Sequence, residues 1–112
     1  MTEAQLKEIM GILQEECAEV IQAISKVNRF GLDNTKPGTE YTNREHLEEE
    51  LGDLVGMINI LCDTRLVDEL MIKRAAEAKI QKLKEWSTIY ENTKTSKSHS
   101  DCARKAWWKW FT

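Results

Sequence analysis

This sequence predicts an all-α fold, on three observations. One proline and five glycines in 112 residues leave long uninterrupted stretches. Those stretches carry apolar residues at helical spacing, not the alternation of a strand. A content of 41% hydrophobic and 31% charged residues suits amphipathic helices that each bury one face. The length allows one domain with a modest core.

The first helix is expected from about Ala4 to Asn28. Leu6, Ile9, Met10, Leu13, Cys17, Val20, Ile24 and Val27 form its stripe. Glu16 and Glu19 lie beside that stripe, with Ile12 and Ala23 on the same side. Phe30-Gly31 ends the helix. Residues 31–42 contain Gly31, Asp33, Asn34, Pro37 and Gly38 and read as a loop, long enough for a functional flap and equally suited to a plain connector. The second helix begins after Thr42, where Thr42 and Glu45 fit a capping box, and runs to about Arg65 on Leu47, Leu51, Leu54, Val55, Ile58, Leu61 and Cys62. Gly52 and Gly56 inside it each cost about 1 kcal/mol relative to alanine. Four apart, they clear a groove for a close approach. The third helix runs from about Asp68 to Asn92 on Leu70, Met71, Ala75, Ala78, Leu83 and Trp86, with a basic series of Lys73, Arg74, Lys79, Lys82 and Lys84. The polar stretch 93–100 is a linker. Residues 103–111, rich in Trp and Lys, form a possible short C-terminal helix. The chain therefore divides into a helical domain, 1–92, and a tail, 93–112.

Charge follows the same division. Residues 1–92 hold 18 acidic against 11 basic side chains, whereas 93–112 hold five basic and one acidic. An acidic body argues against duplex nucleic acid as a partner, because phosphate contacts need a basic face. The three cysteines, Cys17, Cys62 and Cys102, form no CxxC and no disulfide-like spacing. Cys17 and Cys62 are expected as buried thiols, which points to a reducing, cytoplasmic setting. The start of the chain is polar and lacks an apolar signal segment. No apolar run is long enough to be a transmembrane segment.

Two carboxylate clusters carry the chemistry: Glu15-Glu16-Cys17-Ala18-Glu19 and Glu48-Glu49-Glu50-Leu51-Gly52-Asp53. Each contains an i, i+3 pair, Glu16 with Glu19 and Glu50 with Asp53. That spacing puts both carboxyls on one helix face, roughly 5–6 Å apart at Cβ. Like charges so close repel unless a cation lies between them. If the two helices pack antiparallel, the four acids converge. Four oxygen ligands without His or Cys suit Mg²⁺ or Mn²⁺ and not zinc. A lone ExxE would read as a solvated face; two pairs, each after a doubled Glu and beside an apolar stripe, say more. Hard divalent cations also hold polyphosphate oxygens, so the site fits metal-assisted hydrolysis at phosphorus. Arg74, Lys79 and Lys82 could supply the positive charge such a substrate needs, or pair with Glu77 and Glu85 on a solvated surface.

With those residues in place, the chain resembles the MazG-like all-α nucleoside triphosphate pyrophosphohydrolases, whose EExxE…EExxD motif matches Glu15–Glu19 and Glu49–Asp53. The resemblance covers about residues 4–90. It implies a Mg²⁺-dependent split of a nucleoside triphosphate into monophosphate and pyrophosphate. It makes Glu16, Glu19, Glu50 and Asp53 the metal ligands. Glu15 or Glu49 would orient or deprotonate the attacking water. The base would be read by loop 28–42 and nearby aromatics; no single base-binding residue can be named. The compact form is similar to the small phage-type, MazZ-like members that act on dGTP and dATP. Two departures stand out. The family pattern K-x-x-N-x-K-x-x-[RK] is met by Arg74, Lys79 and Lys82, but Glu77 replaces the Asn. The 29 residues between Glu19 and Glu49 are at the long end of the family spacing.

Three helices, two with polar site faces, leave apolar surface uncovered, so a homo-oligomer, a dimer or tetramer, is expected. The tail, through Trp107, Trp110 and Phe111, could pack on a second subunit or on the body, touch a membrane interface or stack on a base. The rival to an enzyme is a non-catalytic helical module whose Trp/Lys tail binds a partner protein or membrane surface. His46 is expected to be exposed, although it could touch substrate.

Overall fold

The computed structural model describes residues 1–91. Three helices account for most of them: α1 (Glu3–Phe30), α2 (Asn43–Asp63) and α3 (Glu69–Trp86). There is no β-strand among the described residues, only one isolated antiparallel bridge, Thr35 to Thr42. The all-α expectation holds. The chain forms two compact units that divide within α2, the first ending at Ile60 and the second starting at Leu61. Asn92 and the whole tail, with its linker and Trp-rich segment, lie outside the described residues.

In the first unit, α1 starts on a capping box. Thr2 accepts from the Gln5 backbone N–H, and the Gln5 side chain accepts from the Thr2 N–H. It ends at Gly31, whose φ of 90° is open to glycine and strained for other residues. Its inward face differs from the expected stripe. Ile9, Leu13, Glu16, Val20, Ala23 and Val27 are the buried or half-buried positions, an unbroken i, i+3/i+4 row. Glu16 therefore belongs to the inward row instead of flanking it. Cys17 falls one step outside that row and is exposed, which corrects the expectation of a buried thiol. Cys62 is half-buried, and burial with the charges of Glu69, Asp63 and Asp68 pushes its thiol up.

The loop between α1 and α2 is zipped by backbone bonds: Arg44 N–H to Leu32 O at 2.8 Å, Asn43 N–H to Asn34 O at 3.0 Å and Lys36 N–H to Tyr41 O at 2.9 Å. Its tip is a type II turn, with Pro37 at the second position and Gly38 at φ 79° in the third. Thr39 N–H closes it onto Lys36 O at 3.0 Å. Helix α2 starts on the expected capping pair, Glu45 N–H to Thr42 Oγ1 at 3.1 Å and Thr42 N–H to Glu45 Oε1 at 3.5 Å. A Cβ built on Gly52 or Gly56 would meet nothing within 4 Å, so no described segment fills the expected groove.

The second unit begins with the end of α2. Leu66 N–H reaches Leu61 O and Arg65 N–H reaches Cys62 O, both at 3.0 Å, with Arg65 left-handed at φ 61°. This is a Schellman end with arginine where glycine is usual. The helix stops at Asp63, two residues before the expected end. Asp68 caps α3 by accepting from Leu70 N–H at 2.9 Å. α3 stops at Trp86, not Asn92: Ser87 turns extended and its hydroxyl accepts from Ile89 N–H at 3.2 Å, ending the helical ladder. No helix among the described residues is long and apolar enough to cross a membrane.

Candidate metal centre and its surroundings

The folded first unit brings the two acid pairs together. One ligand atom from each of Glu16, Glu19, Glu50 and Asp53 lies within 4.8 Å of the other three. Sequence sets this up in two steps. Spacing of i, i+3 aims each pair along one helix face, and the zipped loop returns α2 against α1 so that the faces meet. Glu16 and Glu50 are half-buried and Glu19 and Asp53 exposed, so the cluster has an inner and an outer side.

Its electrostatics are those of a site lacking positive charge. Burial raises the Glu16 carboxyl, with the charges of Glu19, Asp53 and Glu15 adding to it. Glu50 is pushed up to about 7, first by a hydrogen bond with Glu19, then by burial and by the charges of Glu19, Asp53 and Glu16. One oxygen on each inner acid, Glu16 Oε2 and Glu50 Oε2, is buried without a hydrogen-bond partner. Buried polar atoms are normally satisfied, and two orphaned carboxylate oxygens in one cluster are costly. A hard divalent cation supplies what both lack, so the donor set fits such an ion.

Two further residues stand beside the cluster, one of them expected to be exposed and the other not singled out by the sequence. His46 is half-buried, not exposed, and its Nε2 stands 3.3 Å from Glu50 Oε1. The i, i+4 spacing to Glu50 on α2 was the available signal. The Tyr41 hydroxyl donates to Glu49 Oε2. That bond, with burial and the nearby charges of Glu49, Glu50 and Glu45, pushes the phenol up to about 12. Glu49 and Glu15 are both exposed at the margin of the cluster. Tyr41 and His46 also line a cavity of about 510 Å³ beside Phe30, Lys26, Arg29 and Lys36. Arg74, Lys79 and Lys82 stand on α3 in the second unit, all exposed. Arg74 shares a shallow groove there with Glu77 and Lys84.

No curated protein and no solved structure matches the chain. The family model of the MazG nucleotide pyrophosphohydrolase domain matches residues 4–87, a span that takes in the three helices but for Glu3, and every acid of the cluster. Enzymes of that family typically depend on a divalent metal. With both acid motifs inside the matched span, this chain belongs to the MazG nucleotide pyrophosphohydrolase family.

Proposed function

We propose that this protein hydrolyses a nucleoside triphosphate to its monophosphate and pyrophosphate with Mg²⁺, or Mn²⁺, and that its substrate is a purine deoxynucleotide, dGTP or dATP, as in the small phage-type, MazZ-like members. The observation that carries the reaction class is the convergence of four acids around two orphaned buried oxygens. The preference for dGTP and dATP rests on resemblance in size and motif.

Glu16, Glu19, Glu50 and Asp53 hold the metal. When bound, the cation offsets their mutual repulsion and draws the phosphate oxygens to the site. Glu49 or Glu15, at the margin, orients the attacking water and accepts its proton. The Tyr41 hydroxyl on Glu49 holds that carboxylate in place. Arg74, Lys79 and Lys82, the basic positions of the family pattern, are the α3 candidates for binding substrate phosphate. The catalytic domain is 1–92, with 93–112 as an appended tail. Exposed Ile21, Ile24, Leu51 and Ile60 in the first unit favour a homo-oligomer.

The test is pyrophosphate release from a panel of eight ribo- and deoxynucleoside triphosphates with Mg²⁺, with and without EDTA. Metal-dependent release with a matching monophosphate supports the reaction and identifies the base. Silence from a folded protein would sink it.

A further inference from the structure

The 510 Å³ cavity lies where the last turns of α1, the loop and the first turn of α2 come together. Lys26, Arg29 and Lys36 stand on its wall, and no acid lines it. None of the three forms an ion pair among the described residues, where the lysine and arginine ion pairs are Arg44 with Asp33 and Lys73 with Glu69. The Arg29 guanidinium lies over the Phe30 ring, 4.9 Å from its centre, a cation–π contact that helps to hold it there. Lys36 is the first residue of the type II turn, pinned by the Lys36–Tyr41 backbone bond. All three cations are thus carried by ordered backbone.

Three like charges around one concave wall repel one another, and the arrangement suits a guest with several negative charges. A neutral base would leave at least two of them unanswered. The wall is also continuous with the acid cluster. His46 lines the cavity and stands 3.3 Å from Glu50; Tyr41 lines it and donates to Glu49. A substrate whose α-phosphate lies at the acids can therefore extend one end into the cationic cavity.

We infer that this cavity receives the β- and γ-phosphates of the nucleoside triphosphate, the part that leaves as pyrophosphate, and that Lys26, Arg29 and Lys36 are its charge partners. The inference rests on the pyrophosphohydrolase reading and deepens it. The water oxygen bonds to the α-phosphorus, the bond from that phosphorus to the bridging oxygen breaks, and the electron pair departs on pyrophosphate. The proton of the water passes to a marginal carboxylate. The three cations meet the charge that grows on the departing group. A loop expected to read the base is thereby assigned to the phosphate end.

The experiment is calorimetric binding of inorganic pyrophosphate to the full chain in divalent-free buffer, which removes the acid cluster's metal from the readout. Lys26→Gln, Lys36→Gln and the double variant are compared with Lys7→Gln, an exposed lysine in the first half of α1. Each single cavity variant should weaken binding roughly tenfold or more and the double variant further, since charge-assisted hydrogen bonds are of that size. Lys26→Arg should restore it, and Lys7→Gln should leave it unchanged. Circular dichroism checks that each variant is folded. Absence of pyrophosphate binding by the wild type, or equal binding by the double variant, overturns the inference. So does an equal loss of affinity for an unphosphorylated nucleoside, which would return the cavity to the base. The two readings fail separately. Triphosphate hydrolysis with unaltered pyrophosphate binding removes the cavity assignment and keeps the reaction. Pyrophosphate binding through these cations without hydrolysis of any triphosphate removes the reaction and keeps the anion site.

Discussion

The acid cluster of the first unit and the charged face of α3 use the same kinds of residue to opposite effect. In the cluster, four carboxyls of one sign lie within 4.8 Å, and two of their oxygens are buried without partners. On α3 the signs are mixed. Lys73 meets Glu69 at 2.8 Å across one turn, and Arg74, Glu77, Lys79, Lys82, Lys84 and Glu85 are exposed. The second arrangement is at ease in water and gains little from it. The first is stable only at a cost, visible in the raised carboxyls of Glu16 and Glu50. Charge density alone does not separate a site from a surface. Convergence of like charge on a partly buried point does.

The sharpest way to break that contrast is Glu50→Gln. Gln keeps the shape of the protonated acid and removes one charge from the cluster. Turnover should fall by at least about a hundredfold, the scale on which loss of one charge-positioning group is felt. The metal-free protein should melt no lower than wild type at pH 8, because repulsion has been relieved. A variant with near-normal turnover would make the acids a solvated face like that of α3.

Metal and pH give the next largest effect. A cation that binds only the folded state stabilises it by about 2.7 kcal/mol at a hundred times its Kd, so Mg²⁺ should raise the melting temperature and EDTA reverse it. Glu50 is raised to about 7 when folded, above the ordinary carboxylate value. The folded state therefore holds a proton that the unfolded state has already released. That contribution is fully present below the unfolded pKa and is lost as pH rises through about 7. The metal-free protein should lose stability from pH 5.5 to 8, and saturating Mg²⁺ should flatten the trend. A pH-independent melting point without metal would contradict the repulsive cluster.

Much of this was legible in the sequence because helix spacing is rigid. An i, i+3 pair shares a face whatever the tertiary context, so Glu16, Glu19, Glu50 and Asp53 could be grouped before any coordinates. The helix starts were also readable, since the Thr42 and Asp68 caps are local chemistry. What failed was rotation and termination. Glu16 and Cys17 flank the same apolar pattern about 100° apart on the helix, and only the packing of α1 decides which one faces inward. The end of α3 depended on the Ser87 turn, against an apolar pattern that could have continued to Tyr90. Tyr41, Lys26 and Lys36 had no motif to announce them. They meet around one cavity only because the loop is zipped into a defined path.

Arg65 tests whether every unfavourable feature marks function. Its left-handed backbone costs a non-glycine residue about 1–2 kcal/mol, partly offset because glycine loses more freedom on folding. Arg65→Gly should therefore stabilise the protein by up to about 1 kcal/mol in chemical denaturation, with turnover unchanged. A fall in turnover would mean that this helix end, and not only the cluster, carries strain for the reaction.

The smallest expected effect probes α3 itself. Glu77 is exposed and forms no ion pair among the described residues, while Arg74 and Lys84 share its groove. Replacing it with Asn should change stability by less than about 0.5 kcal/mol, as for most surface positions. It removes a negative charge beside Arg74 and Lys84, and it restores the residue type of the family pattern. If Arg74, Lys79 and Lys82 meet a phosphate, KM for the triphosphate should fall a few-fold while kcat holds, because the acid opposes an anion in ground and transition state alike. An unchanged KM would leave those three cations as solvated charge and move the phosphate contacts to Lys26, Arg29 and Lys36. The same substitution thus reads out which of two basic sets, one on a mixed-sign helix face and one around an acid-free cavity, answers the charge of the substrate.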